Sequence, residues 1–395
     1  MKAGSYFDQK GKRAEAVIQT LAVDTFFTDW CYPNPKRPNG EELCDLLVVF
    51  DDTAIIWQIK DLKVDENGRY KKAEVEKNLR QLGGARRTLF DLKAPVTLSN
   101  PRRGAEVFDP RTIKYIHLIS VFMGEGTEPM PIMTEVKGHV VHLFTREFAD
   151  IALQELDTIS DFCRYLREKE SIATEKYLMI LGGEENLLGK YIELGRNFQW
   201  TASHDLIMVD DTIWPKIETM TQYVEKKKLD EISYGWDKMI DRAHEGSARY
   251  EIIARELARP DRFSRRILAK SFMEAYSEFM SSDGDMVRRK TSHLGATYCF
   301  LITNDVRHGS ARSQRMLQFM CFVARGLDKD NQKVIGVSTT GQNTGYDFCL
   351  LIMLQWTPED EAHKAHIQER LGIFKSPKIT ETSEEEYPPL KESQI

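Results

Sequence analysis

Two apolar runs separated by a pair of aspartates constrain this chain more than any other feature. The stretch EELCDLLVVFDDTAIIWQIKD covers residues 41 to 61. Cys44–Phe50 and Thr53–Lys60 read as strands, and Asp51-Asp52 between them as the turn of a β-hairpin. With that two-residue loop Phe50 faces Thr53, and Asp45 falls directly opposite Gln58; a four-residue loop over 50 to 53 gives the same pairing. Directly opposed residues of an antiparallel pair hold their Cβ atoms about 4.5–5.5 Å apart. Gln58 and Lys60 are two positions apart, so they project from one face. An acid, an amide and an amine therefore gather at one end of an otherwise apolar hairpin.

Such a cluster suits metal-assisted phosphodiester cleavage. Mg²⁺, or Mn²⁺ in its place, takes hard oxygen ligands and keeps several waters. Asp45 would bridge the metal and the scissile phosphate, Gln58 would offer a neutral carbonyl oxygen, and the backbone carbonyl of Ile59 would complete the protein ligands. Lys60 would hold the attacking water and neutralise charge in the transition state. One carboxylate is thin for a divalent ion. Glu15, on the first expected helix, is the preferred second acid, followed by Glu41 or Glu42. The competing explanation is plain: an Asp opening a strand and a Lys closing one are common as solvated strand ends.

Around the hairpin, residues 8 to 23 have helical apolar spacing, with Asp8 as a cap. CYPNPKRPNG (31 to 40) is a turn-rich segment. Residues 73 to 92 predict a helix weakened by Gly83-Gly84, 93 to 111 a basic loop, 112 to 122 and 139 to 144 strands, and 146 to 154 and 158 to 169 helices. The expectation is an α/β layer domain over residues 1 to 170. Residues 171 to 375 predict a helix-rich mixed α/β domain, helical as far as about 290, with strands at 296 to 303, 333 to 340 and 346 to 356. The acidic tail, 376 to 395, is expected to be disordered.

The segment CDLLVVFDDTAIIWQIK resembles the PD-(D/E)xK nuclease superfamily, nearest its Mrr-like, restriction-endonuclease-like branch. There a helix Glu, a strand Asp and a QxK tripeptide recur; here they correspond to Glu15, Asp45 and Gln58-Ile59-Lys60. The resemblance spans about residues 8 to 145 and implies an αβββαβ core, Mg²⁺ or Mn²⁺, and a nucleic-acid substrate, DNA before RNA. It also implies a nucleic-acid-binding helix after the motif, matched by Lys77, Gln81 and Arg86-Arg87. Cys44 stands where the family's pattern has proline, and Gln58 removes one negative charge. By analogy, a nuclease core joined to an unfamiliar second domain suggests an antiviral defence effector, a homodimer or higher homo-oligomer, and a partner protein of the same system. The alternatives are a degenerate nucleic-acid-binding or assembly protein of the same fold, and a structure-specific repair nuclease.

Composition limits these expectations. The chain has 395 residues and a net charge of −6, so a nucleic-acid surface has to be local. Candidate phosphate contacts are Lys10, Lys12, Arg13, Lys36, Arg37, Lys71, Lys72, Arg86, Arg87, Arg102 and Arg103; their ordinary role is a solvated face. Six cysteines without metal spacing, no long apolar run and no signal-peptide pattern predict a cytoplasmic protein with no membrane span. NDVRHGSARSQR (304 to 315) reads as a capped helix start with ordinary surface arginines, a phosphate or nucleotide contact being the alternative, and TTGQNTG as a hairpin loop, not a phosphate loop. His117, His139 and His142 are read as structural, and Trp30 and Trp57 as core.

Overall fold

A computed structural model describes residues 16–37, 39–92, 95–124, 126, 130–246, 250–304, 310–342 and 345–388. The chain is mixed α/β and divides into two compact units, Met1–Met220 and Thr221–Ile395. Among the described residues, no helix is long and apolar enough to cross a membrane.

The first unit is built on a six-stranded sheet. After a helix over residues 16–26 (α1) come β1 (Cys31–Pro33), β2 (Leu46–Phe50) and β3 (Thr53–Lys60), an antiparallel meander. Helix α2 (Lys72–Arg86) then crosses to β6 (Tyr115–Phe122), which lies parallel to β3; β8 (His139–Thr145) and β7 (Met133–Val136) finish the sheet. Side-chain alternation along β3 sorts the two faces. Ala54 and Ile56 pack with Leu82 and Ala85 under α2. Trp57 points the other way, stacked on Phe162 with ring centroids 5.6 Å apart. Trp30 and Trp57 are fully buried, as expected.

Several elements depart from expectation. Residues expected to form a loop at 93 to 111 contain a hairpin, β4 (Val96–Asn100) and β5 (Gly104–Phe108). Buried Asn100 organises it: its amide nitrogen donates to the carbonyls of Thr28, Asp29 and Cys31, and its oxygen accepts from the Arg102 and Arg103 backbone. The helix after the motif ends at Arg86 and continues as a π turn, Arg87–Asp91.

The expected domain boundary at residue 170 falls inside α4 (Ile159–Glu175), which follows α3 (Arg146–Glu155). The polypeptide beyond it, β9 (Tyr177–Ile180), α5 (Glu184–Glu193), β10 (Leu206–Val209) and α6 (Ile213–Thr219), belongs to the same unit. Charge explains why. Lys169 of α4 is fully buried, with Nζ 2.6 Å from Glu184 Oε1 on α5, and buried Arg196 reaches Asp161 at 3.3 Å. β9 and β10 pair in parallel, where sequence spacing alone predicted helix.

The second unit opens with α7 (Thr221–Asp230), α8 (Tyr234–Gly246), α9 (Glu251–Ala258) and α10 (Arg262–Ser281). Its sheet has the order β11 (Met286–His293), β12 (Ala296–Thr303), β13 (Lys333–Thr339), β14 (Tyr346–Ile352). Helix α11 (Ala311–Leu327) makes the parallel crossover from β12 to β13, and α12 (Pro358–Leu371) follows β14. Cys299 and Leu301 face α11, whereas Phe300 packs on Phe272 of α10 with centroids 5.5 Å apart. Strand β11 escapes periodicity because it is an edge strand carrying Arg288, Arg289 and Lys290. The expectation of a disordered tail is corrected for residues 384–388. Arg266, almost fully buried, donates to the carbonyls of Glu385 and Glu386 and pairs with Glu384 at 3.0 Å. Acidity that reads as disorder in isolation here complements a buried guanidinium.

Candidate functional site

Asp45 lies one residue before β2, and the hairpin register decides where its side chain goes. Leu46 pairs with Trp57 and Phe50 with Thr53, the two-residue-loop register expected from the sequence. At Asp45 the ladder slips by one position: its own N–H donates to the carbonyl of Trp57, the residue already paired with Leu46, at 3.2 Å, and the next β3 N–H, that of Ile59, meets a side chain instead of a backbone carbonyl. The Asp45 carboxylate takes that place: its Oδ2 accepts the Ile59 N–H and, at 2.8 Å, the Gln58 amide. Lys60 Nζ lies 4.0 Å from Asp45 Oδ1. Asp45 is 2 % exposed and Gln58 4 %, whereas a third of the Lys60 side chain meets solvent. The ammonium is thus the solvent-side member of a buried polar cluster.

The peptide of Asp45 is held separately. Its carbonyl accepts from the side chain of Gln19 on α1 at 2.8 Å and from the Asn34 N–H at 2.9 Å. Neither residue was singled out by motif spacing, because both act on a backbone atom. Glu15, Lys10, Lys12 and Arg13 lie outside the described residues.

The cluster opens into a cavity of about 300 Å³ whose lining includes Glu41, Glu42, Asp45, Gln58, Lys60, Arg37 and Gln81. Both reserve acids, Glu41 and Glu42, therefore sit at this site, on the segment that pairs Lys36 with Glu42. Arg37 is 3.8 Å from Glu41. Gln81 comes from α2, on the face of the sheet to which Gln58 and Lys60 project. Buried Asn78, on the same helix, anchors it by donating to Ser120 of β6 at 2.7 Å. The neighbouring Cys44 is fully buried; burial, with Asp45 beside it, pushes its thiol well up, which keeps it a neutral hydrophobe and not a nucleophile.

No family model, curated protein or solved structure significantly matches the chain. Function must therefore be argued from the site itself.

The expected phosphate contacts divide into two groups. Lys77 and Arg87 are exposed, and Gln81 reaches the cavity. Arg86 is clamped by both oxygens of Asp91 at 3.0 and 2.9 Å. Arg102 holds buried Asp29 at 2.8 Å, and Arg103 holds the Tyr32 hydroxyl at 2.6 Å and Glu106 at 2.7 Å. These last three arginines organise their own neighbourhood, and their charge is largely matched within the fold.

The donor set at the cavity fits a hard divalent ion. The Asp45 carboxylate and the Gln58 amide offer oxygen donors, and Glu41 and Glu42 line the same polar cavity, although among the described residues these acids do not form a three-ligand cluster. The Ile59 carbonyl belongs with these donors, because in an extended strand a residue's N–H and C=O point to the same edge, and that N–H faces Asp45. On the opposite face of the sheet, His117 of β6 and His142 of β8 converge on Glu170 of α4. Burial, with Lys169 nearby, pushes His142 down to about 3. Burial works to raise Glu170, but hydrogen bonds from both imidazoles overcome it and hold the carboxyl at about 2.

Proposed function

We propose that the first unit is a divalent-metal-dependent nuclease acting on DNA, with a restriction-endonuclease-like core. The observation that carries this is the convergence of Asp45, Gln58 and Lys60 at an open polar cavity. The sequence of α1, a three-strand meander, α2 and a parallel β6 supports the fold assignment. Asp45, Gln58 and the Ile59 carbonyl would hold Mg²⁺ or Mn²⁺, with Glu41 or Glu42 as the second acid among the described residues; Glu15 remains a candidate on sequence alone. A bound ion would supply Lewis-acid polarisation of a phosphoryl oxygen and a more acidic water. The chain's own groups do the rest. Lys60 sets a fixed positive charge beside Asp45, where a phosphate would gain negative charge in the transition state. The Ile59 N–H and Gln58 amide fix the Asp45 carboxylate, so that no reorganisation is needed when substrate arrives. Lys77, Arg87 and Gln81 on and beside α2 would track the phosphate backbone, giving salt-sensitive binding. Cutting both strands of a duplex would call for two copies of the chain; a role in antiviral defence, with a partner protein, is part of the same proposal.

The test is plasmid cleavage in Mg²⁺ or Mn²⁺. The wild type is expected to nick or linearise the plasmid, and Lys60→Met to do so roughly a hundredfold more slowly, the scale of losing one preorganised charge. Equal rates for both would remove the nuclease reading. Branched and single-stranded substrates, run beside the plasmid, separate a repair enzyme from a general endonuclease.

A second reading has a specific observation behind it. A carboxylate already holding a backbone N–H and an amide also serves as a plain strand cap, as in a binding protein that kept the fold without the chemistry. Gln58→Glu distinguishes the two. At a metal site the change adds a second carboxylate beside Asp45, whose repulsion an ion relieves. The variant's melting temperature is therefore expected to fall without metal and recover with Mn²⁺. A cap gives the fall without the recovery.

A further inference from the structure

We propose that His117, His142 and Glu170 form a second cation site, selective for a late first-row divalent ion, with Zn²⁺ the foremost occupant. It lies on the sheet face opposite the hairpin cavity and does not depend on the nuclease reading.

The parallel pairing of β6 and β8 sets Ile119 beside His142, and His117 lies two residues before Ile119, on the same face. The imidazole centroids are 6.1 Å apart. Both rings aim one nitrogen at a single point. His142 Nε2 is 2.8 Å and His117 Nδ1 3.2 Å from the same oxygen, Glu170 Oε1. One ligand atom from each of the three residues lies within 4.8 Å of the others. In a tetrahedral zinc site with ligands about 2.0–2.1 Å from the ion, ligand atoms stand roughly 3.3 Å apart. The two nitrogen-to-oxygen separations are near that value, and room for the ion comes from moving Glu170.

The rings sit on strands and are buried, at 3 % and 0 % exposure. Glu170 is the adjustable member, with 31 % of its side chain exposed on α4. A small rotation of Glu170 toward solvent vacates the point at which both imidazoles aim, while keeping a carboxylate oxygen in reach. Three protein ligands leave a fourth position for water.

Two nitrogens and one carboxylate suit Zn²⁺ better than Mg²⁺, which prefers oxygen throughout. The remaining ring nitrogens, His117 Nε2 and His142 Nδ1, are buried without a partner. With an ion at the Glu170 point those far nitrogens would carry the ring N–H groups, so the loaded site calls for a water or a backbone carbonyl to accept them. The adjacent cation, Lys169, is matched by Glu184 at 2.6 Å, which limits its repulsion of a bound ion. An ion here would join β6, β8 and α4 by three bonds.

The test uses the full chain, stripped with a chelator and titrated with Co²⁺ as a spectroscopic probe and with Zn²⁺ by equilibrium dialysis. The wild type is expected to bind one equivalent of Zn²⁺ saturably, to show the intense visible absorption of four-coordinate Co²⁺, and to melt at a higher temperature when loaded. His117→Gln/His142→Gln and Glu170→Gln are each expected to weaken binding by at least roughly a hundredfold, the upper end of the cost of losing an outer-shell partner alone. Asp45→Asn is expected to leave it intact. Glu170→Gln, at a partly exposed helix position, keeps the test decisive should the double variant not fold. The proposal is overturned if wild type takes up no stoichiometric Zn²⁺, or if folded Glu170→Gln binds Co²⁺ with the wild-type affinity and spectrum. Loss of the signal on Asp45→Asn would also overturn it, by moving the ion to the hairpin cavity.

Discussion

Asp45→Asn is expected to slow plasmid cleavage by about a thousandfold or more while leaving the melting temperature nearly unchanged. The first half follows from charge. Asp45 supplies the buried anionic oxygen of the cluster, and a neutral amide holds a divalent ion and its polarised water far less well. The second half follows from hydrogen bonding. The Asn carbonyl oxygen still accepts the Ile59 N–H that Asp45 Oδ2 accepts in the native protein, with its amide nitrogen turned toward the cavity. Asp45→Ala is different. It strips the acceptor from that buried N–H and leaves the Gln58 amide without the partner 2.8 Å away, adding a stability cost of about 1–3 kcal/mol. Cleavage rate and urea midpoint, measured on both variants, separate chemistry from capping. A wild-type rate in folded Asp45→Asn would falsify the metal-nuclease reading.

The largest stability effect is expected at Lys169→Met. Methionine matches the volume of the lysine stem, but it removes the ammonium that lies 4.9 and 5.8 Å from the ring centroids of Phe144 and Tyr165. What is lost is the counter-charge to Glu184, itself only 5 % exposed and otherwise held by the Tyr165 hydroxyl at 2.9 Å. Breaking a buried pair from one side costs about 3–5 kcal/mol, because an unpaired charge stays behind. Pairing the change with Glu184→Gln should restore most of that loss. The pH dependence has a definite sign. Burial already pushes Glu184 up to about 6, with Lys169 opposing it. Without the lysine the carboxyl rises further, so the folded state holds its proton more tightly than the unfolded chain does. The deficit is full above the folded pKa and shrinks as the pH falls toward the ordinary carboxylate value. Urea midpoints at neutral and mildly acidic pH read it directly; a deficit that does not change with pH would mean that packing, not charge, was lost.

How much of this was legible depends on the range of the interaction. The hairpin register followed from two apolar runs and a two-residue turn, and it carried Asp45 to Gln58 without any tertiary knowledge. The Lys60 position followed from the same alternation. Asn100 and the β4–β5 hairpin did not, since a segment with Pro101, Arg102 and Arg103 at its turn reads as loop until its carbonyl partners at residues 28 to 31 are known. A boundary at residue 170, inside α4, comes too early for a similar reason: Lys169 and Glu184 look like surface charges in a sequence and become a buried pair only when α5 folds back. The acidic residues 384–388 read as disordered because nothing near them in sequence marks Arg266, more than a hundred residues earlier, as their partner.

The sequence by itself determined the local β-ribbon and the three polar tips at its end, because hairpin pairing is a short-range consequence of turn length and side-chain alternation. Only the tertiary structure decided that those tips open on a cavity shared with α2 and the 36-to-42 segment. It alone brought His117, His142 and Glu170 to one point on the far face. Parallel strands pair through crossovers whose register no local pattern records, and a helix reaches its partners by packing, so these meetings are set by the whole core and not by any segment of it.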